Sequence, residues 1–147
     1  MWTRPLVTGL SGVIMSSAGA EKGRYPNRVG GSKRRRDGEP MKLAENEERA
    51  LKRLREELLA RYPIIDFRLY GSKARGEGRP DSDLDVMIEL PDYDRATVAE
   101  IDDIIYRVNL ELDVFISALV FGKDELEEGP MYESPIYKVI QQEGIPL

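Results

Sequence analysis

Apolar residues recur along the chain with two periods, and each period predicts one kind of element. From Leu51 to Tyr62 they recur every three or four positions with charged residues between them, which predicts an amphipathic helix. The helix is expected to end at Pro63, because a proline disfavours the helical conformation of the residue before it. Strict alternation of apolar and polar residues from Ile64 to Tyr70 then predicts a strand with one buried face.

The second half of the chain continues with the same two periods. The pattern predicts a strand over 83–90, a helix over 95–108, a strand over 110–117, and a last helix that begins at Pro135 with Ser134 as its cap. On the strand over 83–90 the odd-numbered residues are expected to point outward, and they are Asp83, Asp85, Met87 and Glu89.

The stretch between the first two strands carries the candidate chemistry. Gly71 and Ser72 follow the first strand, ten residues intervene, and Asp83 and Asp85 open the second strand. A glycine lets a phosphate approach the backbone closely, and Ser72 adds a hydroxyl and a backbone N–H if a short helix begins at Lys73. Residues two apart on a strand project from the same face, so both carboxylates would face the turn as hard ligands for Mg²⁺.

Each part of this stretch also has a purely structural interpretation. Gly-Ser is a common turn, and Asp-rich loops often cap strands. Lys73 and Arg75 are either cations that steady phosphates or solvated loop charges. The combination of a strand, a Gly-Ser turn, two cations and a same-face Asp pair, in that order, favours a nucleotide site over four unrelated features.

Composition narrows the chemistry that such a site could use. The 147 residues include no Cys and no His, which excludes thiol nucleophiles, disulfides, imidazole bases and metal sites built from those side chains. Metal binding must then rest on oxygen ligands, and carboxylates favour Mg²⁺ or Mn²⁺. Residues 41–147 carry fourteen Lys and Arg against twenty-four Asp and Glu, so this part suits a basic protein partner better than a nucleic acid.

The segments GSKARG at 71–76 and SDLDV at 82–86 resemble the signature of the DNA polymerase β-like nucleotidyltransferase superfamily. Within it the chain is similar to the minimal nucleotidyltransferases, the MNT proteins, from Met41 to Leu147. Lys73 is a small departure, since an arginine is more usual at that position. The resemblance implies an α+β fold of the polymerase β-like type, in which a small mixed sheet of α/β type is flanked by helices.

The resemblance also implies which residues carry the reaction. Asp83 and Asp85 would bind Mg²⁺, or Mn²⁺ in its place. An NTP, expected to be ATP, would bind through Gly71, Ser72, Lys73 and Arg75.

A third carboxylate is implied by the same resemblance. The superfamily places it on the strand after the intervening helix, and Asp113 occupies that position on the predicted strand over 110–117. Glu111 is the competitor on the same face, and Asp113 is favoured because it lies mid-strand between two apolar residues. Asp113 would help to bind a second metal and would orient or deprotonate the attacking hydroxyl.

The partner, too, is implied only by the resemblance. MNT proteins are usually encoded beside a HEPN-domain protein, which implies transfer of AMP to a tyrosine of a HEPN-domain ribonuclease toxin. This chain would then be a cytoplasmic antitoxin, without direct contact to nucleic acid or membrane. Two alternatives remain: a catalytically idle module that neutralises the toxin by covering it, and a small-molecule nucleotidyltransferase of the antibiotic-modifying type.

Residues 1–40 are predicted to be an N-terminal extension outside the domain over 41–147. They carry eight Lys and Arg against three Asp and Glu, with four consecutive cations at 33–36. A charge run in a stretch rich in Gly, Pro and Ser is typical of a solvated, disordered tail. A weak signal-peptide pattern over 6–20 is disfavoured, because a secreted enzyme would lack nucleotides. A start codon assigned upstream of Met41 is the preferred explanation.

Overall fold

The computed structural model describes residues 42–147, and the expectations for residues 1–40 lie outside this range. Five helices and four strands form within it, in the order α1 Glu45–Arg61, β1 Asp66–Tyr70, α2 Gly71–Arg75, β2 Leu84–Leu90, α3 Arg95–Leu112, β3 Ile116–Gly122, α4 Lys123–Glu127, α5 Pro135–Glu143 and β4 Ile145–Pro146. Across these described residues, the helices are all too short or too polar to cross a membrane.

The four strands form one mixed sheet in the order β3-β2-β1-β4. β1 pairs antiparallel with both β2 and β4, and β2 pairs parallel with β3. The parallel pair is joined by the long helix α3, as a crossover between parallel strands requires. The α+β class with a mixed sheet, predicted from the sequence, is confirmed.

Helices α1 and α3 cover one face of the sheet. Their apolar stripes pack on the inward residues of β1 and β2, and together these side chains form the larger core cluster. The helical spacing that predicted α1 is confirmed, since Leu51, Leu54 and Leu58 are all buried.

The opposite face of the sheet is covered in part by α4 and α5. A second cluster joins Met87 of β2 and Phe121 of β3 with Tyr137 and Ile140 of α5. Met87 and Glu89 are therefore fully buried, and the prediction that they point outward to solvent is wrong. The alternation correctly separated the two faces of β2, but it could not show that helices cover both of them.

The strand predicted over 110–117 is also wrong. Helix α3 continues to Leu112, and β3 begins only at Ile116. The helix ends because Asp113 adopts the left-handed conformation, with φ 50° and ψ 56°. The amide of Asn46, from α1, donates to the carbonyls of Leu112 and Asp113 at 3.1 and 3.0 Å, so a distant residue completes the helix end.

Candidate active site

The Gly-Ser turn lies against the carboxylate of Asp85. In the antiparallel pairing of β1 and β2, Tyr70 is the partner of Asp85, so the turn that follows Tyr70 begins beside that side chain. Gly71 has a φ of +76°, and a Cβ at this position would lie only 2.6 Å from Oδ2 of Asp85. The glycine is needed both for its backbone angle and for the space that Asp85 occupies.

Asp83 and Asp85 lie close enough to influence each other. Burial raises the pKa of the Asp85 carboxyl above its ordinary value, the charge of Asp83 raises it further, and Arg75 opposes the rise. Asp83 is exposed just before β2, whereas Asp85 is half-buried within it. The negative charge of these two carboxylates is only partly balanced by Arg75. Their hard oxygen atoms are ligands of the kind that a divalent cation such as Mg²⁺ prefers.

Tyr70 forms the buried wall beside this pair. Burial, followed by the charge of Asp85, raises the pKa of Tyr70 to about 12. Its hydroxyl therefore stays protonated at neutral pH and can only donate to, or shield, the neighbouring carboxylate.

The polar loop after α2 folds back onto the turn. The carbonyl of Ser72 accepts the N–H groups of Glu77 at 3.0 Å and Gly78 at 3.1 Å. Ser72 itself remains partly exposed. The loop thus fixes the backbone of the turn while leaving room for a ligand at the Ser72 side chain.

Arg75 is held by two carboxylates at the end of α2. Its Nε donates to Glu77 at 2.9 Å, and its Nη1 donates to Glu143 at 2.9 Å. The same oxygen of Glu143 accepts the backbone N–H of Gly71 at 3.1 Å. Sequence reasoning missed Glu143; the available signal was an acidic residue in the last turn of a helix, where the helix dipole disfavours negative charge.

Lys73 is buried in an ion pair with α1. Its ammonium lies 2.7 Å from a carboxylate oxygen of Glu47, and both side chains are almost fully buried. The role predicted for Lys73 at the phosphates stays a prediction. The pair fastens α2 to α1.

Asp113 lies in the turn after α3 and not on a strand as predicted. It lies at the end of α3 and lines a groove with Asp81, Ser82 and Phe115. Within residues 42–147, no three acidic side chains are placed to share a metal ion. The residue of β3 that pairs with Asp85 is Ser117, so the neighbouring strand offers a hydroxyl where a third carboxylate was expected.

The site therefore fits a divalent cation held by two carboxylates, Asp83 and Asp85. The strand position predicted for Asp113 is wrong because α3 ends late, and its role as a third ligand stays a prediction. Glu111, the alternative to Asp113, lies on α3 and forms an ion pair with Arg53. Neither residue belongs to the arrangement around Gly71.

Comparisons with known proteins agree with this geometry. The family described as nucleotidyltransferase domain matches residues 51–145, which include the turn and both carboxylates. No curated protein matches the chain significantly.

Two solved structures are similar to the chain. One is described as a nucleotidyltransferase from Sulfolobus solfataricus, with 17% identity over 67% of this chain and 76% of that one, and a TM-score of 0.45. The other is described as a minimal nucleotidyltransferase, with 25% identity over 68% of this chain and 94% of that one, and a TM-score of 0.47.

Proposed function

Because the chain belongs to the nucleotidyltransferase domain family, we propose that it transfers AMP from ATP to a hydroxyl group of a partner protein. The observation that carries the proposal is the close approach of the Gly71 turn to Asp85, which places the backbone of the Gly-Ser turn beside the pair of carboxylates. In this reaction the acceptor oxygen loses its proton to solvent and forms a bond to the α-phosphorus, the bond from that phosphorus to the oxygen bridging to the β-phosphorus breaks, and pyrophosphate leaves.

The side chains divide this work between them. Asp83 and Asp85 would hold Mg²⁺, which when bound supplies positive charge against the triphosphate. Ser72 would donate its hydroxyl and backbone N–H to the phosphates. The guanidinium of Arg75, beside Asp85, would add a fixed positive charge at the same end of the turn. These residues would increase the rate of transfer by holding the nucleotide in one orientation.

The acceptor is proposed to be a HEPN-domain toxin, with this chain as its cytoplasmic antitoxin. The sequence resemblance to MNT proteins supports this partner. Residues 41–147 contain twenty-four acidic and fourteen basic residues. This excess of negative charge also supports docking to a basic protein surface.

The test is transfer of label from α-phosphate-labelled ATP. The purified chain is incubated with Mg²⁺ and the labelled ATP, with and without the product of the neighbouring gene, which is the proposed HEPN-domain partner. We expect label on the partner, reduced about 100-fold or more when Asp83→Asn and Asp85→Asn are combined, since the cation would lose both protein ligands.

The matched control is Asp102→Asn with Asp103→Asn, which removes the same charge from the exposed side of α3. This variant should label the partner at the wild-type rate. Label that survives in the Asp83 and Asp85 double variant would contradict the proposed site.

A second candidate is an idle antitoxin that binds the toxin without modifying it. The observation that favours it is that residues 42–147 contain no cluster of three carboxylates suited to a metal. In that case Mg-ATP would not raise the melting temperature of the chain, and the complex would still form and neutralise the toxin without label.

A further inference from the structure

One carboxylate from the end of α5 joins two hydrogen-bond donors of the candidate site. Oε1 of Glu143 lies 3.1 Å from the backbone nitrogen of Gly71 and 2.9 Å from Nη1 of Arg75. Gly71 and Glu143 are 72 residues apart in the sequence. The contact is therefore a tertiary one, made where β1 turns into α2.

The contact fixes the direction of the Arg75 side chain. Glu77 accepts from Nε and Glu143 accepts from Nη1, so two of the three guanidinium nitrogens are held by separate carboxylates. The hydrogen bonds of the described residues leave Nη2 unused. A planar guanidinium held at two corners presents its third corner in one direction, with little side-chain entropy left to lose on binding an anion.

The surroundings of Glu143 limit the roles that its carboxylate can have in the site. It is not a third metal ligand, because no three acidic residues within 42–147 are arranged to share a cation. Its side chain is 22% exposed, compared with 42% for Arg75, so the guanidinium is the more accessible of the two groups. A buried backbone N–H needs an acceptor, and Glu143 supplies one to Gly71.

We propose that Glu143 is a positioning residue for the triphosphate, which acts by holding the Gly71 backbone and the Arg75 guanidinium in the orientation that receives the phosphates. This inference rests on the proposed function and adds a residue to it. Glu143 itself does not touch the nucleotide; it acts through the two groups that it holds, and mainly through Arg75.

The experiment measures the affinity for Mg²⁺ with a non-reactive ATP analogue, α,β-methylene ATP, by calorimetry. We expect Glu143→Ala to weaken binding about tenfold, as expected for loss of a charge-assisted contact that orients an anion ligand. Glu143→Gln keeps an acceptor for Gly71 N–H and should lose less affinity. When Arg75→Gln is already present, Glu143→Ala should cause little further loss, because both changes remove the same effect.

Two controls separate positioning from stability. Glu133→Gln removes an exposed ion pair with Lys138 near the start of α5 and should leave the affinity unchanged. Melting temperatures without nucleotide report any loss of stability. If Glu143→Ala does not fold, Glu143→Gln still tests the dependence on Arg75.

Four outcomes would overturn the inference. Equal binding by Glu143→Ala would mean that the carboxylate does not position the site, and tighter binding would mean that it competes with the triphosphate. Additive losses from the Arg75 and Glu143 variants would mean that Glu143 does not act through Arg75. These results leave the proposed function intact, whereas a wild-type chain that fails to bind the analogue would overturn the proposed function together with this inference.

Discussion

Gly71 and Gly76 share one backbone property and differ in their surroundings. Both have positive φ values, 76° and 74°, and they bracket the short helix α2. Only Gly71 is pressed against the carboxylate that is proposed to bind the cation. The two positions therefore allow backbone strain to be separated from damage to the site.

The substitutions Gly71→Ala and Gly76→Ala should destabilise the fold by similar amounts, about 1–2 kcal/mol each, because an L-residue resists the left-handed region. Gly71→Ala should in addition displace Asp85 and weaken binding of Mg²⁺ with α,β-methylene ATP about tenfold or more. Denaturant titrations and calorimetry measure the two effects. Equal nucleotide affinity in both variants would show that the Asp85 contact is irrelevant to binding.

In the metal-free protein, the ionised side chain of Asp85 lowers the stability of the fold. Its folded-state pKa is raised by burial and by Asp83, so folding favours the protonated form. The stability associated with this group is fully present below the ordinary carboxyl pKa and is lost as the pH rises through the raised folded-state value. At neutral pH the ionised side chain therefore opposes folding.

Asp85→Asn should accordingly raise the melting temperature of the metal-free protein at pH 7 while abolishing binding of Mg-nucleotide. The advantage over wild type should shrink as the pH is lowered through the raised folded-state pKa of Asp85, because the wild-type side chain then becomes protonated. Asp92→Asn, at an exposed position outside the site, controls for the change in net charge. A variant that melts below wild type at neutral pH would contradict the assignment.

At the scale of elements, the end of α3 decides the composition of the site. The segment 110–117 alternates as a strand does, yet its first residues also continue the spacing of the apolar stripe of α3. Asn109 settles the boundary, because its side-chain amide exchanges two hydrogen bonds with the backbone of Ile116, at 2.8 and 3.1 Å. This places Asp113 in the turn and gives Ser117 the position beside Asp85.

Because Asp113 caps a helix, its substitution is expected to change the stability of the fold and not the transfer activity. Asp113→Gly should raise the free energy of unfolding by about 0.5–1 kcal/mol, because glycine adopts the left-handed helix cap without strain. The same variant should label the partner at the wild-type rate. Loss of labelling in a fully folded Asp113→Gly protein would instead support the third-carboxylate role for Asp113.

At the scale of the molecule, the sequence predicted what depends on local pattern. The helix over Leu51–Leu58, the strands on either side of the Gly-Ser turn and the cap at Ser134 are confirmed, since each depends on neighbours in the chain. The pairing of Lys73 with Glu47 and of Arg75 with Glu143 could not be predicted. Both need the packing of helices that are distant in sequence, and no periodicity records which charges that packing brings together.

The contact between Gly71 and Glu143 also orders events during synthesis. A chain emerges from the ribosome amino terminus first, so β1 and its turn are exposed while the residues that complete them are still to be translated. The nascent turn must wait through 72 further residues for the carboxylate that holds it. Translation therefore completes nearly all of the domain before the Gly71–Glu143 contact can form.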